Sequence, residues 1–473
     1  MSKYYLKKTK IVATIGPVSE KPEILTKLIN AGVNVARLNF SHGDHAEHGQ
    51  RIKFIKEATK KTKRDIAILQ DLGGVKIRIG DFVDGQITLK KGQKFIITAK
   101  KVAGNEKIVS INYKKLSKEV EKGQEILIDD GTKKLVVIKT TDTEIETKVV
   151  VGGMIRSRRG VNVPGARLSM DALTTKDKKD VAFGIEQGVD FMAISFVRSA
   201  KDIKQLKNIL KKKKATMKII AKIETPEAIE NIDAIISEAD GIMVARGDLA
   251  VEVPACDVPH LQKMIVKKCN IVGKPVIVAT QMLESMISAP VPTRAEVTDV
   301  ANAILDGADA VMLSAESAVG EYPLETVQTM TNVAVRTERD MKCRIVEDNE
   351  DHSCRTVNAI SKSVIQIAHD VDASVIVALT ESGFSARKIS RYKPRRDVVA
   401  LTPNEDAYKH LQLSFGVCAH IIDGFSTTNE TVAQAKKIVK EQGYAKKGNK
   451  IVIVAGLPFG KSGTTNMLIV EQL

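Results

Sequence analysis

Eight short runs rich in β-branched residues, each ending in a polar cluster, pace most of this chain. They are KIVATIGP, VNVARLNFSHG, IAILQDLGG, FMAISFVR, MKIIAKIE, GIMVARGDL, PVIVATQM and AVMLSAES. Their end markers are Thr14, Ser41, Asp71, Ser195, Glu224, Asp248, Thr280 and Ser314. Six of the seven successive separations lie between 24 and 34 residues, the length of one strand plus one helix; the third is 124. Segments between the runs, such as EILTKLINAG and AEVTDVANAILDGA, carry the helical period. Near-continuous apolar strands suit a parallel sheet covered on both faces. Eight βα units of near-constant length predict a (β/α)8 barrel over residues 1–72 and 171–340.

The long step holds an insert. Residues 73–170 abandon the βα rhythm for turn-punctuated strand signals: DFVDGQITLKKGQKFIITAKK, EILIDDGTKKLVVIKTT and ETKVVVGGMI. A small all-β domain is predicted there. It leaves the barrel at the C-terminal end of strand 3, the catalytic face of such a fold, and is placed to act as a lid. Over residues 341–473 the strand runs ASVIVALTESG, RDVVALTPN and KIVIVAGLPFG alternate with helical segments such as NAISKSVIQIAHDVD and NETVAQAKKIVKEQG. This predicts a compact open α/β domain, joined through the acidic run VEDNEDHSC as a linker or flexible surface segment. The fold class is α/β: a TIM barrel with an inserted all-β lid domain and a C-terminal open α/β domain.

Composition narrows the function. The net charge is +16, but the lysines are spread along the chain, in clusters such as Lys211 to Lys214 that read as solvated helix faces. With no Trp and 4% aromatic residues, platforms for stacking single-stranded nucleic acid are lacking. The positive field reads as steering for anionic phosphates, with no nucleic acid partner. Five scattered cysteines without a CxxC pair fit a reducing cytoplasm and no zinc site. No run reads as a signal peptide or a membrane span, so no membrane partner is expected.

Residues two apart in a strand share a face. That sets Arg37 with Asn39 and Ser41, Lys222 with Glu224, and Arg246 with Asp248. A structural ion-pair network explains any one pair; charges recurring at the ends of successive barrel strands point to a site. Glu224 and Asp248 offer hard oxygen ligands for Mg2+ or Mn2+, completed by water and substrate oxygens. Arg37 and Lys222 offer cationic donors to a phosphoryl group in transfer and to a developing enolate. Thr280 offers a hydroxyl to hold a water or relay a proton. No Walker A sequence or kinase-type glycine loop is present, so a nucleotide must be held in another way.

The segments TIGPVS, ARLNFSHG, GVNVPG, KIIAKIETPEAI, DGIMVARGDLAVEVP, VIVATQMLESM and PTRAEVTDVANAILDGADAVMLSAESAVGEYP resemble the motifs of pyruvate kinases, in order and over essentially the whole chain. The resemblance implies phosphoryl transfer from phosphoenolpyruvate to ADP, giving pyruvate and ATP in the last step of glycolysis. It implies roles for Glu224 and Asp248 as ligands of the divalent ion. Lys222 is then the stabiliser of the phosphoryl group and the enolate, Arg37 the phosphoryl clamp, and Thr280 the residue tied to enolate protonation. Ser195 joins the substrate site, and the backbone of Gly247 and Asp248 meets the substrate carboxylate. Pro17, His42, Arg78 and Lys176 match positions near the nucleotide; for Lys176 a solvated helix start is the competing reading. A cytoplasmic homotetramer is also implied.

Asn39, Ser41, Asp71 and Leu72 resemble the surroundings of the family's monovalent cation, usually K+. Where most K+-dependent members read Asp-Thr-Lys-Gly-Pro-Glu-Ile-Arg, this chain reads Asp71-Leu72-Gly73-Gly74-Val75-Lys76-Ile77-Arg78. Lys76 thus stands where Glu is usual, and a fixed ammonium there implies an enzyme that does not require K+. The other reading has Lys76 facing solvent while K+ still binds. In the C-terminal domain Thr380, Ser382, Gly383 and Ser385 follow a strand and open a helix, a setting for phosphate binding. The resemblance adds Gly460, Lys461 and Gly463 to them and implies an allosteric sugar phosphate or AMP. The competing enzyme class is a metal-dependent C–C lyase of the citrate-lyase or aldolase type, acting through a pyruvate enolate and sharing the KIETPEA signal. Such lyases lack the insert and the SHG and TQMLESM motifs.

Overall fold

A computed structural model describes residues 7–343, 355–459 and 463–473. All eight runs become parallel strands of one closed barrel: β1 (Lys10–Thr14), β2 (Val35–Asn39), β3 (Ala67–Asp71), β4 (Phe191–Ile194), β5 (Lys218–Ile223), β6 (Gly241–Ala245), β7 (Val276–Ala279) and β8 (Ala310–Leu313). Each strand pairs with its sequence neighbours and β8 closes on β1, with Lys10 opposite Ala310. Side chains such as Val12, Leu69, Met243 and Ile277 fill the interior; Ile11, Leu38, Val244 and Val278 pack outward under the helices. The helices start where the sequence supplies reciprocal caps, as at Asp44 with Glu47, Thr174 with Asp177 and Thr293 with Glu296.

Register sets the active face. Thr14 lies opposite Arg37 and Asn39 opposite Asp71, so the polar ends of β1, β2 and β3 stand level. The insert departs just beyond Asp71. It forms a six-stranded sheet and a two-stranded sheet around Phe95, Ile97, Ile126, Leu135 and Val137.

The C-terminal unit carries a five-stranded sheet in the order Val417–Ile421, Asp397–Thr402, Val375–Leu379, Lys450–Gly456, Thr465–Gln472, the last pair antiparallel. Both edge strands escaped the sequence reading, because VCAHI and TNMLIVEQ mix polar with apolar residues and lack the near-continuous β-branched run of the other three. The run VEDNEDHSC, read as a linker, falls wholly outside the described residues. This unit also plugs the barrel floor. Leu413 packs into the barrel's interior cluster. The wholly buried Lys393 lies 2.7 Å from Asp309, whose Oδ1 also accepts from the Phe415 N–H at 3.1 Å. Lys10 at the start of β1 donates to the Val417 carbonyl at 2.7 Å.

Candidate active site

The buried polar core of the upper barrel face is built on Asp71. Arg37 Nε donates to its Oδ2 at 2.8 Å, Arg37 Nη2 lies 2.7 Å from the same oxygen, and Nη1 donates to Thr14 Oγ1 at 2.8 Å. Lys222 Nζ lies 3.3 Å from Asp71 Oδ1 and 3.0 Å from Glu224 Oε1, and donates to Ser195 Oγ at 2.7 Å. Ser195 in turn donates to the Leu72 carbonyl at 2.7 Å. Burial works against the charge of Lys222, but Asp71 and Glu224 outweigh it and raise its pKa. Burial likewise works against the charged form of Asp71, and the cations of Lys222 and Arg37 overcome it, lowering its pKa.

Glu224 is wholly buried. Its Oε2 accepts from the Phe196 N–H at 2.6 Å, while its Oε1 faces the Lys222 ammonium at 3.0 Å. Burial, helped by the facing charge of Asp248, raises its pKa; Lys222 opposes the shift. Two facing carboxylates that disfavour each other, one of them wholly buried, fit a hard divalent cation between them. Among the described residues no group of three or more His, Cys, Asp or Glu could hold a metal. Glu224 and Asp248 would therefore supply two oxygens and leave the remaining positions to water and substrate.

The strand reading of Arg246 with Asp248 needs correction. β6 ends at Ala245, and Arg246–Glu252 is a short helix, so the two side chains diverge. Asp248 turns to the cavity. Arg246 turns away, donating through Nη2 to the carbonyls of Thr280 (2.9 Å) and Gln281 (3.1 Å), while its Nη1 reaches Asp299 at 2.7 Å. Thr280 Oγ1 accepts from the Gly247 N–H at 2.7 Å and donates to the Ala279 carbonyl at 2.6 Å. The Gly247 N–H, expected at a substrate carboxylate, is here engaged by Thr280.

A cavity of about 640 Å³ opens between insert and barrel. His42, Lys76 and Arg78 line it, together with Arg158 to Val163 of the insert, and Asp248 and Glu252 below. Burial and the charges of Lys76, Arg78 and Arg37 lower the His42 pKa. Pro17 is exposed in the turn after β1 and is not part of this lining. Lys176 is fastened elsewhere: its Nζ donates to the Phe40 carbonyl and to Asp180, each at 2.7 Å. Lys76 departs from its expected place. Its Nζ lies 4.0 Å from Asp248 Oδ1, at the mouth of the cavity, while both Asp71 oxygens face Arg37 and Lys222. Asn39 Oδ1 accepts from the Ser41 N–H at 3.1 Å.

Sequence reasoning missed two contacts of the insert. Asn162 Nδ2 donates to Glu252 Oε1 at 2.7 Å, tying insert to barrel, and Arg198 donates to the carbonyls of Leu168 and Met170 where the chain returns to the barrel. Neither has a local motif to reveal it. In the C-terminal unit, Thr380, Ser382, Ser385 and Gly463 share a small cleft with Phe425 and Phe459. Gly383 has a φ of 76° and precedes the helix Phe384–Ser390. Ser385 Oγ is 2.6 Å from Thr465 Oγ1. Gly460 and Lys461 lie outside the described residues.

A barrel whose strand ends carry two cations, a pair of facing carboxylates and a basic cavity under the insert defines a class: barrel enzymes that handle small phosphorylated anions. Comparison with known proteins makes this particular. Residues 6–327 match the model "Pyruvate kinase, barrel domain" and residues 358–471 match "Pyruvate kinase, alpha/beta domain". The pyruvate kinase of Geobacillus stearothermophilus is 46% identical over 472 residues, covering 99% of this chain and 80% of that protein. That of Clostridium acetobutylicum is 44% identical over 470 residues, covering 98% and 99%. A crystal structure of a pyruvate kinase from Cryptosporidium parvum superposes with a TM-score of 0.91 at 36% identity, covering 99% of this chain and 96% of that one. The chain belongs to the pyruvate kinase family. Its reaction is the family's, between phosphoenolpyruvate and ADP, and the family works with a divalent metal. Among the described residues no helix is long and apolar enough to cross a membrane.

Proposed function

We propose that phosphoenolpyruvate sits over Lys222, with its phosphoryl group between Arg37 and Lys222, and that ADP enters through the cavity beside His42 and Arg78. The observation that carries this reading is the Lys222 ammonium, fixed by Asp71, Glu224 and Ser195 before any substrate arrives. A preset charge meets the developing enolate without reorganising. Glu224 and Asp248 would hold Mg2+ or Mn2+, which supplies electrostatic stabilisation to the phosphoryl and enolate oxygens. In this reading the Thr280 hydroxyl, at the end of β7, serves the protonation of the enolate carbon. Pyruvate formation from phosphoenolpyruvate and ADP, followed through a coupled dehydrogenase, tests the assignment; release of a second carbon fragment instead would mark a lyase.

The enzyme works without K+. Support comes from Lys76, whose half-exposed ammonium faces Asp248 across the cavity mouth and adds a positive charge to a site crowded with phosphates and carboxylates. Full turnover is expected in sodium or tetramethylammonium buffer. Lys76→Glu is expected to slow the enzyme about tenfold and make added K+ stimulatory. Strong K+ activation of the unaltered enzyme rules the idea out.

A phosphorylated effector occupies the Thr380–Ser385 loop. Its hydroxyls and the Gly383 turn support an anion there. Ser382→Asp places a carboxylate in that cleft and is expected to abolish activation by sugar phosphates or AMP while basal turnover stays within about twofold. Activation that survives the substitution removes the site.

A further inference from the structure

We infer that Arg246 is a positioning residue for the reaction: it clamps the strained end of β7 so that Thr280 faces the substrate. This deepens the reading of Thr280 given above and rests on it. Thr280 and Gln281 have φ values of 68° and 54°. Left-handed backbone is unfavourable for any side chain with a Cβ and a genuine outlier for a β-branched one. Two such residues in succession persist only when their surroundings over-determine them.

Arg246 provides that restraint. Its Nη2 donates to both carbonyls of the strained pair, at 2.9 and 3.1 Å, and lies 2.9 Å from Met282 Sδ. The guanidinium is itself held from behind. Its Nη1 and Nη2 each stand 2.7 Å from an Asp299 oxygen, and Nη1 lies 3.3 Å from Gln262 Oε1. Asp299 belongs to the helix Arg294–Leu305 and Gln262 to the helix Val258–Val272, so three elements converge on one fork. A second link runs the same way, from the Gly247 N–H to Thr280 Oγ1 at 2.7 Å. The two links join adjacent residues of the β6 helix to the same threonine. They fix the distance between Asp248, next along that helix, and the Thr280 hydroxyl. A lysine keeps the charge but cannot donate to two carbonyls and a carboxylate in one plane.

The test is a double-mutant cycle between Arg246→Met and Thr280→Ala, run on the full chain. It has two readouts: steady-state turnover, and exchange of the pyruvate methyl protons in D2O followed by NMR. Arg246→Met is expected to slow both by ten- to a hundredfold, with KM for phosphoenolpyruvate within threefold of the unaltered enzyme. In the Thr280→Ala background the same substitution is expected to cost little more. Arg246→Lys should recover less than half of the loss. Asp299→Asn, at a partly exposed position outside the cavity, should reproduce the proton-exchange defect in milder form, which keeps the test valid if Arg246→Met folds poorly. Additive losses in the cycle overturn the clamp while leaving the role of Thr280 intact. Normal proton exchange in Thr280→Ala overturns the role of Thr280, and the clamp with it. A loss confined to KM, or full recovery with lysine, assigns Arg246 to folding or charge alone.

Discussion

Lys222→Met is expected to lower kcat by about three to four orders of magnitude while KM for phosphoenolpyruvate changes by less than about tenfold. The asymmetry follows from where the ammonium is held. It is anchored by Asp71, Glu224 and Ser195 in the free enzyme, so substrate binding gains little from it. The charge that develops on phosphoryl and enolate oxygens gains far more. Methionine preserves length and removes the charge. It also strands the buried Glu224 carboxylate, while Asp71 keeps Arg37, and breaking a buried pair costs on the order of 3–5 kcal/mol of stability. Thermal denaturation must therefore accompany the kinetics. A folded variant that loses affinity alone would reassign Lys222 to ground-state binding.

The second large effect is expected at Asp248. Asp248→Asn keeps the shape of the side chain and removes one of two hard oxygen charges from the proposed metal pair. Turnover should fall by about two to three orders of magnitude, and the Mg2+ concentration for half-maximal rate should rise at least about tenfold. Titration with Mn2+, followed by paramagnetic resonance, reads the affinity without relying on catalysis. Because about a third of the Asp248 side chain is exposed, the substitution should leave folding intact. Normal turnover at low Mg2+ would remove Asp248 from the metal site.

The barrel was legible because its signal is repeated eight times at one spacing, and errors in single strands do not disturb a period. Lys222 with Glu224 was legible because both follow the period of two on β5. The same rule failed for Arg246 with Asp248, where the strand has already ended and the helical period has taken over. Arg246 looked like a cavity residue and became a clamp. Lys76 was noticed as a charge reversal, yet its partner in space is Asp248, far along the sequence, and no local pattern reports such a pairing. Asn162 with Glu252 escaped for the same reason, since 90 positions separate them. The edge strands of the C-terminal sheet were hidden because they are partly exposed and admit polar residues such as His420 and Asn466, so they lack the near-continuous apolar run of strands covered on both faces.

The plug beneath the barrel bears on how the chain is made. Ribosomes deliver the amino-terminal end first, and all eight barrel strands are translated before Lys393, Leu413 and Phe415 exist. Until then the lower mouth stays open, with Asp309 lacking its cation and Lys10 lacking the Val417 carbonyl. A nascent barrel therefore waits, unsealed, for the last quarter of its own message. Truncation before Lys393 would leave that waiting state permanent, with a desolvated carboxylate unpaired at its base and a hydrophobic well open to water or to a neighbouring chain. The carboxy-terminal unit is thus the stopper of the catalytic vessel.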